Sequence, residues 1–82
     1  MYRLFYTDYV VLKTQYHANK PRLMPYAYNE LDDALGKARQ IKARGGVPWE
    51  IESEDGTSIG RYEIATLLRE RAAELVGRPK VY

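Results

Sequence analysis

The chain has 82 residues, of which 45% are hydrophobic and 29% charged, with a net charge of +2; this suits a single folded domain over 1–82 with room for one core, and not a disordered chain. The absence of cysteine excludes a disulfide framework, a thiolate nucleophile and a cysteine-based zinc site, and the single histidine, His17, excludes a multi-histidine metal site within one chain.

From the N-terminus, Tyr2 to Tyr6 reads as a strand. Charge arrives early, at Arg3 and Asp8, so the segment does not resemble a signal peptide. No window approaches the roughly 18 to 20 apolar residues that cross a bilayer. A cytoplasmic protein without a membrane partner is expected. Residues 8–19 fit either a second strand or a helix capped by Asp8, and the β-forming run Tyr9-Val10-Val11-Leu12 favours the strand. Pro21 and Pro25 then force a loop, so 13–28 is expected to be loop-rich.

A helix is predicted from about 30 to 44. Asn29 can cap its first turn, Glu30, Asp32 and Asp33 suit the positive end of its dipole, and Gly45-Gly46 stops it. At 100° per residue Leu31, Ala34, Leu35, Ala38 and Ile41 form one apolar stripe. Residues 47–61 then alternate with the period of strands around Glu54-Asp55-Gly56. A two-residue Asp55-Gly56 loop would set Ile51 opposite Gly60; a three-residue turn with Gly56 left-handed, which is preferred, sets Ile51 opposite Ile59, gathers Trp49, Ile51 and Ile59 on one face, and leaves Glu50, Glu52 and Ser58 on the other. Pro48, lacking a donor, suits a strand start or an edge. A second helix follows over 61–76, with Ile64, Ala65, Leu68, Ala72, Leu75 and Val76 as its stripe and Arg71 at the margin. Residues 77–82 read as a flexible tail.

The fold class is therefore α+β: a small antiparallel sheet made from the N-terminal strand and the 47–61 hairpin, with two α-helices packed on one face. The motifs Leu31-Asp32-Asp33-Ala34-Leu35, Ala38-Arg39, Gly45-Gly46, Trp49-Glu50-Ile51 and Glu54-Asp55-Gly56 resemble those of small bacterial α+β domains of unknown function. The resemblance covers residues 29–76. It implies this fold and a bacterial source, and brings no site, because those families carry no assigned activity.

Charge is uneven: residues 1–44 hold eight Lys/Arg against four Asp/Glu, and 45–82 hold five against seven. Six of the eight tyrosines also fall in the first 28 residues. Tyr6, Tyr9, Lys13, Tyr16, His17, Lys20, Arg22 and Tyr26 therefore form one candidate binding surface. Glu50 and Glu52, alternating on a strand, form a second, more often a solvated face than a docking site for a basic partner or a metal site. Gly45-Gly46 lies at a helix C-terminus, and 56–61 lacks a nucleotide-binding pattern, so no cofactor is expected.

The leading expectation is a non-enzymatic binding or accessory protein that makes protein–protein contacts, as a monomer or a weak homodimer paired through a sheet edge. The second is single-stranded nucleic-acid binding by the Tyr-rich, basic N-terminal region. The third is an enzyme with an unrecognised site, for which no catalytic constellation speaks.

Overall fold

A computed structural model of the chain describes residues 1–77, with side chains to residue 71. Its elements are β1 (Tyr2–Thr7), α1 (Lys13–Asn19), a 3-10 turn (Lys20–Arg22), β2 (Tyr26–Tyr28), α2 (Leu31–Ala43), β3 (Val47–Ser53), β4 (Ser58–Gly60) and α3 (Arg61–Gly77). The four strands form one antiparallel sheet in the order β2-β1-β3-β4. No helix among the described residues is long and apolar enough to cross a membrane. The expected tail lies, from 78 onward, outside the described residues.

The α+β class holds, with one more helix and one more strand than the sequence suggests. Residues 13–28, expected to be loop-rich, contain α1, the 3-10 turn and β2. The β-forming run 9–12 does not become a strand, because β1 already pairs with β2 along one edge and β3 along the other. Instead the chain leaves the sheet at Thr7 and starts a helix after Leu12. Asp8 does not cap it. The Leu12 N–H donates to the Gln15 side chain at 3.2 Å, the half of a capping box that needs no polar residue at the cap position.

On one face of the sheet α2 and α3 bury the main core: Leu4, Ala34, Leu35, Ala38, Ile41, Ile51, Ile64 and Leu68. The α2 stripe is as its periodicity predicts, with Leu31 and Ile59 partly buried at its margin. Its N-cap position is Glu30, one residue beyond Asn29, and has no side-chain capping bond. At its other end the Gly45 N–H donates to the Lys42 carbonyl at 3.1 Å and the Gly46 N–H to the Ile41 carbonyl at 2.9 Å. Gly45 is left-handed, with φ of 91°. This pair of bonds satisfies carbonyls that a helix end otherwise leaves open. Gly46 has a separate reason to lack a side chain, since a Cβ there would stand 2.7 Å from the Thr7 carbonyl oxygen.

The 47–61 hairpin has the predicted register, with Ile51 opposite Ile59 and Glu52 opposite Ser58. Gly56 is left-handed with φ of 91°, and its N–H donates to the Ser53 carbonyl at 3.1 Å. Hydroxyls of Ser53 and Thr57 and the Thr57 N–H donate to the Asp55 carboxylate, holding it down to about 2.

One part of the hairpin differs from simple alternation. Phe5 pairs with Glu50 but Tyr6 pairs with Pro48, so Trp49 is the extra residue of a β-bulge. The bulge turns Trp49 away from Ile51 and Ile59. Trp49 joins Phe5, Tyr16 and Val47 in a second cluster on the opposite face, under α1, with Val11 and Leu23 at its edge. Pro48 is tolerated in this central strand because it adjoins the bulge and lies beyond the reach of β4, which pairs only with 50–52.

Candidate binding site

The bulge aligns Trp49 and Glu50 under α1. The Tyr16 ring stacks on Trp49 with centroids 4.6 Å apart and planes 8° from parallel, and its hydroxyl donates to Glu50 Oε1 at 2.6 Å. Lys20 Nζ lies 2.7 Å from Glu50 and 2.8 Å from Glu52, and 4.8 Å above the Phe5 ring. Arg3 reaches the other oxygen of Glu52 at 3.2 Å. The Trp49 indole N–H donates to Thr7 Oγ1 at 3.0 Å.

Burial of Tyr16 and its bond to the Glu50 carboxylate push the phenol well above its usual range. Burial acts on Glu50 in the same upward sense, but donation from Lys20 and Tyr16 outweighs it and holds the carboxyl below its ordinary value. For Lys20 burial acts downward and is outweighed by Glu50 and Glu52, so the ammonium is favoured. Every charge in this cluster has a partner. Glu50 and Glu52 thus lie half-buried inside an ion network and not on a fully solvated strand face.

A cleft of about 320 Å³ opens beside this network, lined by Lys13, Tyr16, His17, Trp49, Glu50, Arg61, Tyr62 and Glu63. Lys13 and His17 stand one turn apart on α1 and reach it from one side. Arg61, from the start of α3, lays its guanidinium 5.0 Å from the Trp49 ring and 5.5 Å from that of Tyr62. A second cleft of about 420 Å³ shares Arg61 and Tyr62 with the first and is mostly apolar, with Val10, Val47, Pro48, Ile64, Ala65 and Leu68 in its wall and Lys42 at its rim. Val10 and Tyr62 are 71% and 80% exposed. Tyr9 and Leu12, on either side of Val10 and Val11 in the β1–α1 connection, are exposed as well.

The candidate surface of the sequence is thus divided. Lys13, Tyr16, His17 and Glu50 meet in the first cleft, and Lys20 and Glu52 in the network beneath it. Tyr6, Tyr9, Tyr16 and Arg22 surround a separate depression of about 360 Å³ on the far side of α1. Tyr26 stands apart: it stacks on Tyr6 at 5.1 Å, with Lys37 4.6 Å above its ring, at the β2 edge. Trp49, Arg61, Tyr62 and Val10 are absent from the sequence candidates. Tyr62 lies off the Ile64/Leu68 stripe, which is a legible sign of exposure. Trp49 carries no such sign, because the bulge depends on pairing with β1. Among the described residues no three His, Cys, Asp or Glu side chains gather as metal ligands would.

Compared with models of known families, with curated proteins and with solved structures, the chain matches none.

Proposed function

We propose that the protein is a non-enzymatic binding module that docks a protein partner on the surface around Val10, Arg61 and Tyr62. The observation that carries this reading is the pair of exposed apolar side chains, Val10 and Tyr62, that line one apolar cleft. Apolar side chains gathered around a concave surface mark interaction sites, and single scattered ones do not. Aromatic and arginine residues are the usual anchors of such interfaces.

Two observations favour this over the other readings. Single-stranded nucleic acid is held by unpaired cations and open rings; of those that the Tyr-rich N-terminal region offers, Lys20 and Arg3 are engaged by Glu50 and Glu52 and the Tyr16 ring is covered by Trp49, which leaves fewer of them open. Catalysis by general acid and base needs groups poised near neutral pH. Here Glu50 is shifted down and Tyr16 and Lys20 up, the directions of a satisfied ionic network.

The test is affinity capture from cell lysate with the full chain and with Val10→Ser/Tyr62→Ser, whose side chains are exposed enough to leave the fold intact. A stoichiometric protein recovered by the wild type, unaffected by nuclease and lost with the double variant, is the expected result. Nuclease-sensitive recovery, or recovery unchanged by the double variant, refutes the proposal.

A further inference from the structure

We infer that the partner segment is acidic and apolar together: a carboxylate held among Lys13, His17 and Arg61, and a neighbouring apolar side chain seated against Val10 and Tyr62. This rests on the reading of the protein as a protein-binding module and adds the chemistry of what it binds.

The first argument is the balance of charge around the two clefts. Among the described residues Lys13, Lys42 and Arg61 take part in no ion pair. The negative charge of Glu50 is matched by Lys20. Glu63 is the one other acid that lines the first cleft, and among the described residues none that lines the apolar cleft is acidic. The rim of Lys13, Lys42 and Arg61 therefore carries more positive charge than its surroundings neutralise, and it favours a negative partner.

Continuity supplies the second. Arg61 and Tyr62 line both clefts, so the cationic and apolar pockets are neighbours across a single ridge. An extended chain advances about 3.3 Å per residue, and a short segment spans both. Arg61 suits the carboxylate because its planar guanidinium offers donors in a fork. Cation–π contacts with Trp49 and Tyr62 hold it in place.

The floor of the larger cleft gives the third. The cleft is walled by aliphatic side chains, with Ala65 half-buried and Val47, Pro48, Ile64 and Leu68 buried behind it, a lining that suits a Leu, Ile or Phe side chain better than a nucleic-acid backbone. Burial of one such side chain would supply the main attraction, and rim charges mainly add direction and association rate.

The experiment is selection of a displayed library of random linear peptides on the immobilised full chain, followed by titration of the enriched peptide in synthetic form, read by Trp49 fluorescence. Enrichment of peptides that combine Asp or Glu with an adjacent Leu, Ile or Phe is expected. Affinity should fall about five- to tenfold in Lys13→Glu/Lys42→Glu, two exposed positions, and in Arg61→Glu, with melting curves showing that each variant is folded. Enrichment of apolar peptides without an acidic bias, still lost with Val10→Ser/Tyr62→Ser, overturns this inference and leaves the protein-binding reading standing. Failure to enrich any peptide overturns both. Binding of a short single-stranded oligonucleotide that competes with the peptide and is lost with Lys13→Glu/Lys42→Glu overturns it in favour of nucleic acid.

Discussion

Trp49 and Ile51 are two residues apart on β3 and face opposite sides of the sheet. Strand geometry alone would place them together, and the bulge at Trp49, opposite the Phe5–Tyr6 step of β1, separates them. Each then anchors a different cluster, Ile51 under α2 and α3 and Trp49 under α1.

Trp49→Ala should therefore destabilise the protein by about 3–5 kcal/mol, the range for deleting a large buried aromatic. Urea unfolding measures it. The loss should come with disordering of α1, seen as faster amide exchange over 13–19, because Tyr16 would lose its stacking partner.

Tyr16→Phe keeps the ring and removes the hydroxyl. Because Tyr16 is only 2% exposed and donates to a carboxylate, the loss should be about 1.5–3 kcal/mol, measurable by the same unfolding curves. The double variant Tyr16→Phe/Glu50→Gln should lose less than the sum of the single changes, since the two residues share one bond.

Stability should depend on pH at both ends. A carboxyl whose pKa is depressed in the folded state contributes stability that is present above its unfolded value and is lost as pH falls through the folded one. Glu50 behaves in this sense, so stability should drop on acidification through and below the ordinary carboxylate range. Tyr16 and Lys20 are raised. Their contribution is complete below their unfolded values and declines as pH climbs beyond about 10, the ordinary range of both groups. Unfolding free energy measured across pH should fall at both extremes, and Glu50→Gln should flatten the acid limb. An unchanged acid limb in that variant would contradict the assignment.

Gly46→Ala places a methyl group 2.7 Å from the Thr7 carbonyl oxygen and from Ile41 Cγ2. One of these contacts is backbone and cannot rotate away. The expected cost is about 1–3 kcal/mol, as for overpacking in a core, seen as a lower melting temperature. Gly36→Ala meets nothing within 4 Å and sits within a helix, so it should be neutral or stabilising by up to about 1 kcal/mol.

What was legible in the sequence was local. The α2 stripe, its Gly45-Gly46 stop and the Ile51/Ile59 register each follow from residues close along the chain. What was not legible depends on distant pairing. The run Tyr9-Val10-Val11-Leu12 has strand propensity, but both edges of β1 are occupied by segments that come later. β2 is three residues long after Pro25, too short for alternation to register. Lys13, Tyr16, His17 and Glu50 are recognisable in the sequence as polar and aromatic candidates. Arg61 and Tyr62 read as the opening of a helix, and Trp49 as core. Only the folded sheet brings these seven around one cleft.

Thr7 closes the sheet with three ties: it pairs with Val47, its hydroxyl takes the Trp49 indole N–H, and its carbonyl rests against Gly46. Immediately beyond it come Tyr9, Val10 and Leu12, all mostly exposed. The connection is thus rooted at its base, while these three side chains project mostly into solvent. Changes at residues 9, 10 and 12 can retune what the surface selects while the fold beneath them is untouched, so specificity and stability can evolve here almost independently.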